Sequence, residues 1–239
     1  MIVLKLTAPF AVFRPFAAGW HRPTATFLTP SAAYGLLLNV AAIESRLTEE
    51  DEKHPGKVPT TLNRPGLPAC RIALGILATA EPPRVQSAFQ QLHNYPVGSA
   101  AGTDEELAKG RKNNISPVRR EFLSDLDAVI ALDGNHALED RIRRGLAGEF
   151  NAGRYGLPFL GDNSFLPDEL APLDVVPPVR WYCRVGEQLD ERIDMRQATR
   201  LTVWIDRAGM AGTISHLYAP TINPSPYPPE EAWTPIEPP

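Results

Sequence analysis

Residues Ile2 to Thr7 alternate, with Ile2, Leu4 and Leu6 set against Val3, Lys5 and Thr7, which predicts a half-buried opening strand. Thr29 ahead of Pro30 then reads as an N-cap with proline at the first helical position, where a missing N–H costs nothing. Ala33, Leu36, Leu37, Val40 and Leu47 recur at three- and four-residue spacing, so the helix should present one apolar stripe to a core. The next stretch, TEEDEKHPGKVPTTLNRPGLP, is acidic and then proline-rich and predicts a long surface excursion. A second strand is expected over Arg71 to Ala78, with Ile72, Leu74 and Ile76 on one face. Strand, helix, strand is the opening half of a ferredoxin-like βαββαβ unit.

From Glu81 to Arg120 the periodicity thins and Gly98, Gly102 and Gly110 interrupt it, which suits an extended protrusion. Phe122 to Leu132 reads as a strand. Asn135 can cap a second helix in which Leu138, Ile142, Leu146 and Phe150 recur every four residues. Two later strands follow: Val179, Trp181, Cys183 and Val185 alternate with Arg180, Tyr182 and Arg184, and Leu201, Val203 and Ile205 alternate with Thr202 and Trp204. The first of these offers an Arg/Tyr face that suits either solvent or RNA. The fold class is therefore α+β.

Composition sharpens this picture at two points. The 25 prolines are about twice the usual share of roughly 5% and call for many irregular connections. Eight of them fall between Pro220 and Pro239, so the tail should run extended or polyproline-like, outside the core and held by a neighbouring subunit. Cys70 and Cys183 lie in strand-like text without a CxxC or Cys/His cluster, which points to core thiols in a reducing cytoplasm and to neither disulfide nor metal. No apolar run approaches the roughly 18 residues of a membrane span.

A net charge of −4 gives no global attraction for nucleic acid, so any such site must come from local clustering. Two clusters qualify. Arg14, His21 and Arg22 sit among Phe13, Phe16 and Trp20, and cations beside flat rings suit phosphate and base contacts together, although Arg stems lying over aromatics also form ordinary surface loops. Lys109, Arg111, Lys112, Arg119 and Arg120 put five cations in twelve residues, as a phosphate contact or as a solvated loop. The glycine-punctuated NAGRYGLPFLGDNSFL is no P-loop, because no Gly-Lys-Ser/Thr follows.

The runs FRPF from Phe13, TPSAAYGLLLNVAAIES from Thr29, HNYP from His93, SPVRREFLSD from Ser116 and GLPFLGDNSFL from Gly156 occur in the order found in the Cas-five family of CRISPR-associated proteins. The chain resembles that family, part of the RAMP superfamily, and within it the DevS-like subtype of type I systems. The resemblance implies a RAMP, or RRM-like, ferredoxin-like domain over residues 1–218, with a β-hairpin thumb at about 81–121 and a proline-rich tail at 219–239. It implies a cytoplasmic, non-catalytic subunit of a Cascade-like surveillance complex that binds the 5′ handle of the crRNA, caps the backbone filament beside the large subunit, and meets target DNA only through the complex. The residues it assigns to RNA are Arg14, His21, Arg22, Thr29, Ser31, Tyr34, Lys109, Arg111, Lys112, Arg119 and Arg120, with no cofactor and no metal. One branch of the family instead cuts precursor crRNA without metal. Here His21, Tyr34, His93 and Lys112 are the available recruits, in no spacing that reads as a catalytic set.

Overall fold

The computed structural model describes all residues except 16–19, 48–61, 97–112, 151, 155, 187–190, 210 and 239, and only the backbone of 92–96 and 113–116. The described elements are strands β1 (Ile2–Ala11) and β2 (His21–Arg22), helix α1 (Pro30–Val40), and strands β3 (Cys70–Leu77), β4 (Arg84–Pro96) and β5 (Asn113–Asp133). Helix α2 (His136–Leu146) follows, then β6 (Glu169–Pro172), β7 (Val179–Arg184), β8 (Thr199–Trp204), β9 (Ile214–Pro220) and β10 (Thr234–Ile236). Among the described residues ten strands join one sheet, whose main path runs β6-β1-β5-β3-β7-β9-β8 with antiparallel neighbours. This is a mixed α/β architecture built on a large antiparallel sheet.

Helix α1 forms where Thr29 and Pro30 predict it. The Thr29 hydroxyl accepts from the Ala32 N–H at 3.2 Å, and Ala33, Leu36, Leu37 and Val40 are buried. It stops sooner than its apolar spacing suggests. Ala42 takes a left-handed φ of 52°, its N–H turns to Asn39 O and the Ile43 N–H to Leu38 O, so Leu47 lies beyond the helix. The Arg141 guanidinium closes this end by donating to the Ala41 carbonyl at 2.7 and 3.1 Å. That arginine lies in α2, which begins at the predicted Asn135 cap and places Leu138 and Ile142 in the core. Phe150 falls past the helix end and stacks under Arg141 and Arg144.

The principal core packs α1 and α2 on one face of the sheet, with Leu4, Leu6, Ile72, Ile130 and Leu132 beneath them. The opposite face carries a smaller cluster around Trp181, Val129, Val179 and Cys183. Strand β7 is thus covered on both sides at its centre: of the expected Arg/Tyr face Tyr182 is closed, Arg180 is half-buried, and Arg184 at the strand end stays exposed. Tyr182 is buried and stacked on Phe27 with ring centroids 4.3 Å apart, and burial pushes its phenol up to about 12. Both cysteines are buried and outside any disulfide, and burial pushes the Cys70 thiol up to about 12 as well.

The tail departs from expectation. It runs extended, but it is held by its own chain: β10 pairs antiparallel with the start of β3, Ile236 enters the main core, and Ala232 and Trp233 join the smaller one. The physical reason is a vacancy in the sheet. Along one edge of β3, β7 pairs only with Gly75 to Leu77 and β10 fills the positions from Cys70 to Ile72. Among the described residues β10 forms its strand pairing with β3 alone, and such an edge position is where a sheet tolerates a proline like Pro235.

Candidate nucleic-acid interface

The two cationic clusters that lie apart in the sequence meet at the base of the β4–β5 hairpin. β2 adds to β5 in parallel, pairing His21 with Arg119 and Arg22 with Arg120, and the Arg119 N–H donates to the Trp20 carbonyl at 2.8 Å. On the other side of β5, Phe89 of β4 pairs with Arg119 and Ala88 with Arg120. Directly paired residues share a face of a sheet. His21, Arg119 and Phe89 therefore lie on one face of this three-stranded ribbon, and Arg22 and Arg120 on the other. Trp20 and Phe89 are 64% and 78% exposed, which no packing demand of the fold explains.

The charges around the ribbon do not cancel. His21 Nε2 lies 2.9 Å from Glu121 Oε1, and Glu121 Oε2 also accepts from the Thr24 N–H, so this pair is locally satisfied. Arg120 donates to Asp162 and to Gln90 Oε1, and Arg14 approaches the same Asp162 carboxylate at 3.9 Å. Partial burial, then Arg120 and Arg22, lower the Arg14 pKa. The Ser164 N–H and Arg120 hold the Asp162 carboxyl below the ordinary aspartate value. Two guanidiniums, Arg14 and Arg120, thus share one carboxylate, Arg22 adds a third positive charge that acts on Arg14, and among the described residues neither Arg22 nor Arg119 has a carboxylate within 4 Å. Such a cluster is relieved by an anion such as phosphate, and Phe89 offers a stackable ring on the ribbon's other face beside Arg119.

Asp162 was not among the residues that sequence reasoning selected, although the GLPFLGDNSFL run contains it. That loop is pinned below the ribbon: the Val12 N–H donates to the Leu160 carbonyl at 2.9 Å, and Leu160 is buried. Gly161 has a φ of 79° and passes so close to Val12 that a Cβ would overlap its carbonyl oxygen. The glycine lets Asp162 stand against Arg14 and Arg120. A Gly-Asp pair in a loop carrying a partner motif was the available signal.

Other selected residues have different work. Thr29 is buried as the α1 cap, and Ser31 Oγ lies 3.2 Å from the Thr29 hydroxyl within the first helical turn. Tyr34 is 4% exposed, donates its hydroxyl to Pro68 O at 2.8 Å, and has its pKa raised by burial, so it is withdrawn from both RNA contact and acid-base chemistry. Lys109, Arg111 and Lys112 lie outside the described residues, as does the side chain of His93. Among the described residues no cluster of three or more His, Cys, Asp or Glu could hold a metal, and no helix is long and apolar enough to cross a membrane.

A family model described as "CRISPR-associated protein (Cas_Cas5)" matches residues 1–193. The chain is 26% identical over 220 residues to "CRISPR-associated protein Cas5" of Myxococcus xanthus (strain DK1622), covering 89% of this chain and 86% of that relative. Among solved structures, a chain of a "CRISPR RNA-guided surveillance complex" superposes with a TM-score of 0.51 at 15% identity, over 97% of this chain and 95% of the other, which is a likeness of fold. Matched over most of its length, the chain belongs to the Cas5 family of CRISPR-associated proteins.

Proposed function

We propose that this chain is a non-catalytic RNA-binding subunit of a type I surveillance complex in the cytoplasm. It holds the 5′ handle of the crRNA and caps the backbone filament next to the large subunit, and it meets target DNA only through the assembly. The observation that carries the reading is the sharing of the single Asp162 carboxylate by Arg14 and Arg120, with the positive charge of Arg22 acting on Arg14, on a ribbon that also carries exposed Trp20 and Phe89. Cations neutralise phosphates and rings stack on splayed bases, while sequence choice in a DNA target belongs to guide pairing. Family membership supports the setting. The exposed Leu157, Phe159 and Leu166 of the Asp162 loop supply apolar surface suited to a protein neighbour. The strand order β6-β1-β5-β3, with α1 and α2 on one face, supports a ferredoxin-like βαββαβ unit: in order of use along the chain it reads fourth, first, third, second. The test is co-expression with candidate partner subunits followed by RNA extraction: one uniform 5′ end in the bound RNA is expected, and recovery of the assembly without RNA would overturn the reading.

His21 against Glu121 favours one other reading, a metal-independent endoribonuclease, because a carboxylate that orients an imidazole is how a general base is positioned. Incubation of the purified chain with labelled repeat RNA in EDTA separates the two. Cutting at one phosphodiester that His21→Ala abolishes would establish the nuclease.

A further inference from the structure

Where β10 takes its place beside β3, the tail leaves a cleft toward the β8–β9 hairpin of about 550 Å³. That size lies in the range of sites that enclose small ligands. Its aromatic lining is Trp204, Tyr218 and Trp233, and its polar lining holds Arg184 and His216 with the carboxylates of Asp206 and Glu237. The rings are held in place: Trp204 packs near Tyr34, the Tyr218 hydroxyl lies 2.8 Å from Thr234 Oγ1, and Trp233 is covered on one side by Arg71 at 5.1 Å. Among the described residues Arg184 is not neutralised by a direct ion pair and has no carboxylate within 4 Å, while Asp206 is committed to the N–H groups of its own loop at Ala208, Gly209 and Gly212. Glu237 lies exposed in the same lining. Burial, Arg184 and Arg200 lower the His216 pKa, so the imidazole is neutral at pH 7 and free to hydrogen-bond an anionic oxygen.

Flat, fixed rings beside an arginine that has no carboxylate within 4 Å among the described residues and an imidazole able to hydrogen-bond an anionic oxygen suit a planar aromatic group that carries an anion. We propose that this cleft binds a nucleotide, with its base against the tryptophans and its phosphate on Arg184 and His216. The cleft shares no residue with the ribbon of β2, β4 and β5, so this site stands whether or not the ribbon holds RNA.

Indole N–H signals of the full chain, labelled with nitrogen-15, report each tryptophan separately. On titration with uridine monophosphate, Trp204 and Trp233 should shift while buried Trp181 stays fixed. Arg184→Gln with His216→Gln should raise the Kd about tenfold, the effect of losing the arginine's charge-assisted contact and the imidazole's hydrogen bond. Uridine alone, titrated into the unaltered protein, should show a comparable loss and needs no variant. A short single-stranded RNA that shifts the same two signals at lower concentration than the monomer would assign the site to a strand, and equal affinity would assign it to a free nucleotide. Silence of Trp204 and Trp233 throughout, or uridine binding as tightly as its monophosphate, would overturn the proposal.

Discussion

Gly161 runs so close to Val12 that a Cβ on it would overlap the Val12 carbonyl oxygen, and the next residue, Asp162, presents its carboxylate to Arg120. A side chain there meets two penalties at once, a left-handed φ of 79° and overlap with a backbone atom that cannot turn away. Gly161→Ala is expected to destabilise the fold by at least about 2 kcal/mol, the sum of typical costs for left-handed backbone and overpacking. Urea denaturation measures it, and a midpoint equal to wild type would mean that the loop relaxes freely.

The strength of sequence reading lay in periodicity and caps. Thr29–Pro30 and Asn135 start both helices, and Leu37, Val40, Leu138 and Ile142 are core as their spacing requires. Leu47 misled because its register is helical but Ala42 ends the helix before it, and no glycine or proline marks that stop. The Arg/Tyr alternation of β7 misled because period two reports which residues share a face and cannot report that Phe27 and the main core close over Tyr182. At the site, Arg14, His21, Arg22, Arg119 and Arg120 were legible as local clusters. Their union was not, since it depends on a parallel two-residue strand pairing that leaves no composition signal. Phe89 and Asp162 become interpretable only through that pairing.

The tail is part of the sheet, so its removal should be felt throughout. Truncation after Tyr227 deletes β10, uncovers the buried Ile72 edge of β3, and removes Ala232 and Ile236 from the two clusters. Fully burying one large aliphatic side chain contributes about 1.5 to 3 kcal/mol, and the lost strand pairing adds to that. A fall in the thermal midpoint of several degrees is expected. An unchanged midpoint would return the tail to the role of an appendage.

The Asp162 carboxyl gives the site a defined acid limit. Its folded pKa lies below the ordinary 3.8, chiefly through the Ser164 N–H and then the Arg120 side chain, so its contribution to stability is complete above 3.8. It is lost as pH falls through the depressed folded value. Asparagine cannot ionise, and the stability gap between wild type and Asp162→Asn should therefore hold steady from neutral pH down to near 3.8 and close below it. Chemical denaturation at a series of pH values reads this directly. A gap that persists undiminished in strong acid would assign the effect to packing.

Salt dependence tests the ribbon most sharply, because it separates phosphate contact from solvated charge. Arg22 and Arg119 lie on opposite faces of the ribbon, and among the described residues neither has an acidic partner. Each phosphate neutralised on a single strand contributes roughly 0.7 to the slope of log K against log salt, so Arg22→Ala with Arg119→Ala should flatten that slope by about 1.4. Phe89→Ala removes a ring and no charge. It should leave the slope unaltered while weakening binding by about 1 to 3 kcal/mol, the usual worth of one stacked base. Anisotropy titrations of handle RNA at several salt concentrations distinguish these signatures. If the double variant kept the wild-type slope, the arginines would be ordinary solvated cations, and the ribbon would lose its claim on RNA even if Phe89→Ala weakened binding.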